Sequence, residues 1–156
     1  MKPASITRRQ ALKASVATSA GFWLGTSPTA KAEGPNEKLN IACIGVGGRG
    51  SANVGGVSSQ NIVAVCDVDE KRAGKNWTRS GAKQYHDFRK KLDEMENEID
   101  AVVVSTPDHT HFHPSRQAML MGKHCYCEKP LAHSPWEARE LTKIADKRGV
   151  ATQLGN

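Results

Sequence analysis

"LNIACIGVGGRG", residues 39–50, decides the fold. Its first half is short, β-prone and mostly apolar, without clean alternation. Such a run reads as a strand buried on both faces, the pattern of a parallel sheet. Its second half matches G-x-G-x-x-G through Gly45, Gly47 and Gly50, with Gly48 and Arg49 between them. Alone that pattern is weak. Here it follows a strand and opens a helix, and Asp67 closes the next strand 22 residues after Gly45. Together these features give the context of a dinucleotide-binding turn.

Each glycine has its own reason. Gly45 permits the tight turn, Gly47 keeps a Cβ out of the path of a pyrophosphate, and Gly50 lets the helix lie close on the strand. The helix N-terminus then offers unpaired N–H groups and the positive end of its dipole to phosphate. Gly45, Gly47, Gly48, Arg49 and Gly50 are therefore the candidate phosphate-binding residues. Asp67 is placed to accept hydrogen bonds from both adenosine ribose hydroxyls, and its charge would repel a 2′-phosphate. NAD is thus favoured over NADP, although Arg72 is near enough in sequence to receive such a phosphate.

Outward from this turn, short β-rich runs alternate with helix-like stretches. Strands are expected at 39–45, 61–67, 99–106, 123–129 and 150–155, with a weaker one at 83–88. Helices are expected at about 50–58, 69–80, 88–95, 112–121 and 135–148. The last has a capping box in Ser134 and Glu137 with Pro135 in its first turn, and Gly122 ends the helix before it. Alternating β and α units imply an α/β fold, a Rossmann-type doubly wound parallel sheet with right-handed crossovers.

The chain has 156 residues, which suits one domain, and its 38% of hydrophobic residues with 14 glycines can form a packed core. The net charge of +6 suggests nucleic acid until it is located. Residues 1–32 hold five of the 22 basic residues (Lys2, Arg8, Arg9, Lys13 and Lys31) and no acid. The other 17 face 16 acidic residues, a net of +1, so neither nucleic acid nor an anionic membrane is an expected partner. The N-terminal segment itself carries Arg8-Arg9, an uncharged stretch at 14–30 that is too short and polar to span a bilayer, and Ala30-Lys31-Ala32. That resembles a twin-arginine export signal over residues 1–32, with Ala11 where a bulky apolar residue is common. A dinucleotide-binding domain over residues 33–156 and a periplasmic location follow as expectations.

With "GVGGRG", "CDVD", "VVVSTPDHTH" and "GKHCYCEKPLAHS" in this order, residues 39–156 resemble the Gfo/Idh/MocA family of glucose-fructose oxidoreductases and inositol dehydrogenases. The resemblance implies an NAD-dependent oxidoreductase that transfers hydride to or from a sugar, polyol or related carbinol. It implies that Thr106, Pro107 and Asp108 form a loop passing the cofactor, with Asp108 in place of the usual Asn. It implies that His111 lines the cofactor cleft, that Glu128 binds the nicotinamide-side ribose, and that Lys129 is catalytic, polarising the substrate oxygen. Pro130 would follow a cis peptide. Independent chemistry agrees: both loops leave the C-terminal ends of strands, where open α/β sheets bind ligands, and a lysine there can stabilise a developing alkoxide or share its proton.

Family members continue into a C-terminal α/β domain that supplies most of the substrate pocket. It is missing after Asn156, so the expectation is that Asn156 is not the natural end of a working enzyme and that the isolated chain is inactive. The missing domain or a second copy of the chain is the expected macromolecular partner. An NAD-dependent glycosidase branch, with redox-neutral chemistry, is the enzymatic alternative, and "EKP" argues mildly against it because that branch resembles "EVP". A non-catalytic nucleotide-binding module is the alternative outside enzymes.

His109, His111 and His113 alternate like metal ligands, but they fall in a strand-to-helix loop and need not share a face. No metal is expected. Cys43, Cys66, Cys125 and Cys127 all fall in expected strands and read as packed, reduced thiols.

Overall fold

Six strands form one parallel sheet in the order β3-β2-β1-β4-β5-β6. They are β1 (Asn40–Ile44), β2 (Asn61–Cys66), β3 (Lys83–Tyr85), β4 (Ala101–Val104), β5 (His124–Cys127) and β6 (Thr152–Leu154). The helices are α1 (Arg49–Gly56), α2 (Glu70–Ala73), α3 (Phe88–Glu94), α4 (Phe112–Leu120) and α5 (Pro135–Arg148). This computed structural model describes residues 38–156, so the twin-arginine segment at 1–32 lies outside the described residues. Strand order reverses between β1 and β4, which opens a crevice at their C-terminal ends, the place where doubly wound sheets bind ligands.

Both faces of the sheet are covered, which explains the unalternating apolar runs. Ala42, Ile44, Val102 and Val104 point to one face with Leu92, Met119 and Leu141 from α3, α4 and α5. Ile41, Cys43, Val65 and Val103 point to the other with Val54 of α1 and Trp77. Val102 and Val104 are fully enclosed, and each such side chain contributes roughly 1.5–3 kcal/mol. The pairing of β1 with β2 slips between Ile41 and Ala42, so Ile62 and Ala64, two apart in one strand, serve opposite faces. All four cysteines are free and buried.

Two elements show how the local signals acted. Helix α5 starts at Pro135 behind a complete Ser134–Glu137 capping box and stops at Gly149, which is left-handed at φ 64°. The expected helix over 69–80 is shorter: α2 ends at Ala73 because Gly74 takes φ 56° and ψ −133°, and a single 3-10 turn, Gly74–Asn76, follows. Among the described residues no helix is long and apolar enough to cross a membrane.

Candidate cofactor and active site

The glycine loop is built by contacts that a methyl group would break. Gly45 sits at φ 75°, and a Cβ there would lie 2.8 Å from the Ser105 carbonyl, beside the exit of β4. A Cβ on Gly50 would fall on the Gly45 carbonyl oxygen. The structure gives Gly47 a further reason to be glycine: a Cβ would lie 2.6 Å from the Arg72 carbonyl oxygen, so the loop and α2 touch through backbone. Helix α1 then opens at Gly48 with no side-chain cap and no acidic residue in its first turn. Such a helix start presents donors and a positive dipole end to an anion. Gly48 and Arg49 are both exposed at this mouth.

Asp67 is half-buried, and its carboxylate turns inward as well as outward. Oδ2 accepts from the backbone N–H of Val46 at 2.9 Å and of Gly47 at 3.2 Å, and Oδ1 accepts from Asp69 N–H at 3.1 Å. It therefore pins the glycine loop to the end of β2. Arg72 is exposed, with its Nη2 nearest the outer face of Gly48.

Across the crevice, Glu128 leaves β5 with a side chain only 6% exposed. Its Oε1 accepts from Arg49 Nε at 3.0 Å, Asn53 Nδ2 at 3.0 Å and the Tyr126 hydroxyl at 3.2 Å. Burial pushes the carboxyl up, but the bonds from Asn53, Arg49 and the Lys129 N–H outweigh it and hold the group below the usual carboxylate range. Glu128 thus ties β5 to α1 and is ionised. Its Oε2 accepts from the Lys129 N–H at 3.3 Å and keeps further acceptor capacity. Lys129 follows, exposed, before a cis Lys129–Pro130 bond.

The loop after β4 brings Thr106, Pro107 and Asp108 to the same mouth. Pro107 and Asp108 are exposed, while the Thr106 Oγ1 is buried with no hydrogen-bond partner among the described residues. An orphaned hydroxyl beside an uncapped helix start and an ionised carboxylate fits a bound dinucleotide, which brings polar groups to each.

His111 departs from the expected cleft-lining position. It is 2% exposed and sits behind both loops, with Nδ1 2.6 Å from the Pro130 carbonyl oxygen and Nε2 2.7 Å from that of Thr106. Its two neighbours point elsewhere: exposed His109 lies 3.6 Å from Asp108, and His113 meets the Phe112 ring edge-on. Among the described residues no group of three or more His, Cys, Asp or Glu side chains converges as metal ligands would.

This arrangement has relatives. Residues 39–156 match the profile of the Gfo/Idh/MocA group, an oxidoreductase family with an NAD-binding Rossmann fold. The chain belongs to that family. It is 32% identical over 120 residues to an inositol 2-dehydrogenase of Rubrobacter xylanophilus, a match covering 74% of the chain and 34% of the relative. It is also 32% identical over 170 residues to a glycosyl hydrolase family 109 protein of Shewanella amazonensis, covering 92% of the chain and 37% of the relative. Among solved structures it resembles GenD2 from gentamicin A biosynthesis in complex with NAD, with a TM-score of 0.69, 30% identity, and 76% and 34% of the two chains covered. The chain therefore spans about a third of the length of these relatives, and it is their NAD-binding domain that it carries.

Three supports of this Gfo/Idh/MocA site carry no motif. Asn53 bridges Ser105 Oγ at 2.7 Å and Glu128, joining α1 to both ligand-facing loops. Buried Asn76 donates to the Val46 carbonyl at 2.9 Å and to Ser51 Oγ at 3.0 Å, propping the glycine loop from beneath. Gly155 passes so close that a Cβ would lie 2.6 Å from the Tyr126 hydroxyl and 3.0 Å from the Glu128 carboxyl carbon. The Tyr126–Glu128 pair alone was available from strand alternation, since residues two apart share a face.

Proposed function

We propose that the chain is the cofactor half of an exported oxidoreductase that moves hydride between NAD and the carbinol carbon of a sugar, polyol or related substrate. The observation that carries this reading is the convergence at one mouth of the uncapped glycine loop, the orphaned Thr106 hydroxyl, ionised Glu128 and exposed Lys129. Bound NAD supplies a hydride acceptor or donor at its nicotinamide ring. The start of α1 would hold the pyrophosphate, Asp67 the adenosine ribose and Glu128 Oε2 the other ribose. Lys129, one residue beyond Glu128, would hold the substrate oxygen and take or give its proton as charge develops there. A second domain would cover the nicotinamide, exclude water and shape the substrate pocket. The names of relatives, an inositol 2-dehydrogenase among them, support a polyhydroxy substrate.

Export rests on Arg8-Arg9 and Ala30-Lys31-Ala32. An exported enzyme of this kind would be loaded with NAD before transport and would recycle it in place. Redox-neutral glycoside cleavage meets that need, and the match to a glycosyl hydrolase family 109 protein over 92% of the chain favours it as the second reading. Lys129, where the glycosidase branch resembles valine, favours the first.

The test is Lys129→Ala beside Asp67→Ala. Titration calorimetry should show NAD bound by the Lys129→Ala chain with nearly unchanged affinity and bound clearly more weakly by the Asp67→Ala chain. In the complete enzyme Lys129→Ala should abolish turnover. Full turnover without the Lys129 amine would remove Lys129 from the chemistry, and a complete protein that binds NAD but turns over no carbinol substrate would leave a nucleotide-binding module.

A further inference from the structure

His111 is buried in a position where a neutral imidazole does not fit. Both ring nitrogens lie at short hydrogen-bond distance from carbonyl oxygens, Pro130 at 2.6 Å and Thr106 at 2.7 Å. A carbonyl oxygen only accepts. A neutral imidazole has one N–H and one bare lone pair, so one of these contacts would set lone pair against lone pair. An imidazolium donates twice and satisfies both. The two acceptors belong to different loops: Thr106 follows β4, and Pro130 follows β5 directly after Lys129.

We propose that His111 is a brace, protonated at neutral pH, that joins the loops after β4 and β5, and that it acts as a positioning residue for Lys129 without touching cofactor or substrate. The role of Lys129 rests on the proposed function; the brace does not. The ring has no route to the cleft, since it is 2% exposed and both nitrogens are taken. The charge is set by what surrounds it. From β5, the Cys127 sulfur lies against the ring, with its own hydrogen toward the Leu131 carbonyl at 3.7 Å. Glu128, at the exit of β5, is engaged by Arg49 and Asn53. In the preceding turn, exposed Asp108 and His109 pair with each other. In the first turn of α5, the Glu137 carboxylate accepts from the N–H groups of His133 and Ser134. Burial lowers the pKa of His111, but Cys127 and the two carbonyls outweigh it and push it up to about 9.

The geometry also orders the ring's surroundings. His111 is the residue that leads into α4, and its own carbonyl accepts from Ser115 N–H at 3.3 Å. The brace therefore hangs from a helix start, and the two loops hang from the brace. Loss of one donor frees one loop, and loss of the ring frees both.

The experiment is nitrogen-15 NMR on the full chain with labelled histidine, followed from pH 5.5 to 10. One of the six histidines, assigned by its loss in His111→Gln, should carry protons on both ring nitrogens at pH 7. It should titrate with a midpoint near 9. A spectrum in which none of the six histidines carries protons on both ring nitrogens at pH 7 overturns the proposal, and that outcome needs no variant to fold. In folded His111→Gln, one carbonyl should keep a donor and the other should lose it. The backbone N–H resonances of Thr106, Lys129 and Leu131 should then shift or broaden, while those of Asp67 and Asn76 stay. Unmoved Thr106 and Lys129 resonances overturn the brace. NAD binding measured on the same samples reports separately on the cofactor reading, because a chain that never binds NAD can still show or lack the charged brace.

Discussion

Gly50 and Gly55 lie in the same helix and should respond to alanine in opposite directions. At Gly50 the added carbon would fall on the Gly45 carbonyl oxygen, which is backbone and cannot swing away. The loop would have to reopen, so Gly50→Ala should destabilise by about 1–3 kcal/mol or more and lose NAD binding. At Gly55 nothing lies within 4 Å, and the residue is helical. Gly55→Ala should stabilise by roughly 0.5–1 kcal/mol through lower chain entropy and leave NAD affinity alone. Urea midpoints and an NAD titration on both variants check the pair, and a stable, NAD-binding Gly50→Ala chain would overturn the loop argument. The glycine pattern was legible in sequence because its reasons are local. The inward bonds of Asp67 and the prop from Asn76 were not, since they join residues 21 and 30 positions away from Val46 across two elements. His111 was legible as a site residue but not as a buried one: its neighbours His109 and His113 are exposed, and the return of the chain at Cys127 and Pro130 packs against it.

Helix α3 carries a feature that no periodicity announces. Lys91 is fully buried, and its Nζ has one long bond, 3.4 Å to the Cys43 carbonyl of β1. Three donors share one weak acceptor, so burial pushes the amine down to about 8, only partly opposed by the nearby Cys66 and Cys43. Its folded value lies below its unfolded 10.5. The unfolded chain therefore binds more protons between those values, and the cost of burying the charge is fully present below pH 8. Lys91→Met keeps the length and removes the charge. It should stabilise the chain by up to about 3 kcal/mol at neutral pH, and the gain should shrink through pH 8–10.5 to little above it. Urea midpoints at pH 7 and 10.5 decide this; a variant less stable at pH 7 would mean that the ammonium is satisfied by partners beyond Cys43. The start of α5 carries its own signals in Ser134, Pro135 and Glu137 and was legible in the sequence, whereas its stop at left-handed Gly149 is a finding of the structure. Helix α2 is shorter than the expected 69–80 because Gly74 takes a positive φ that ends it, a choice glycine leaves open in the sequence.

For the whole molecule, the buried groups predict alkaline lability in separable steps. His111 has its folded pKa raised from 6.5 to about 9. The folded state then holds a proton that the unfolded state releases, so this stabilisation is complete below pH 6.5 and is lost as pH rises to 9. Burial pushes the thiols of Cys43 and Cys66 up from 9.0 to about 11 and that of Cys125 to about 12. Above pH 9 the unfolded thiols ionise first, so each of these also costs stability as pH rises. Lys91 alone among these works the other way, between 8 and 10.5. Stability should therefore decline from about pH 6.5, with a first limb owned by His111 and a second owned by the thiols. Urea midpoints taken every half unit from pH 6 to 11 under reducing conditions resolve the limbs. His111→Gln should flatten the first limb and leave the second, whereas Cys125→Ala should lessen only the second. Lys91→Met should steepen the decline above pH 8 by removing the one opposing contribution. A first limb that survives His111→Gln unchanged would show that the ring is neutral in the folded chain, and the two loops around Lys129 would then need a different fastening.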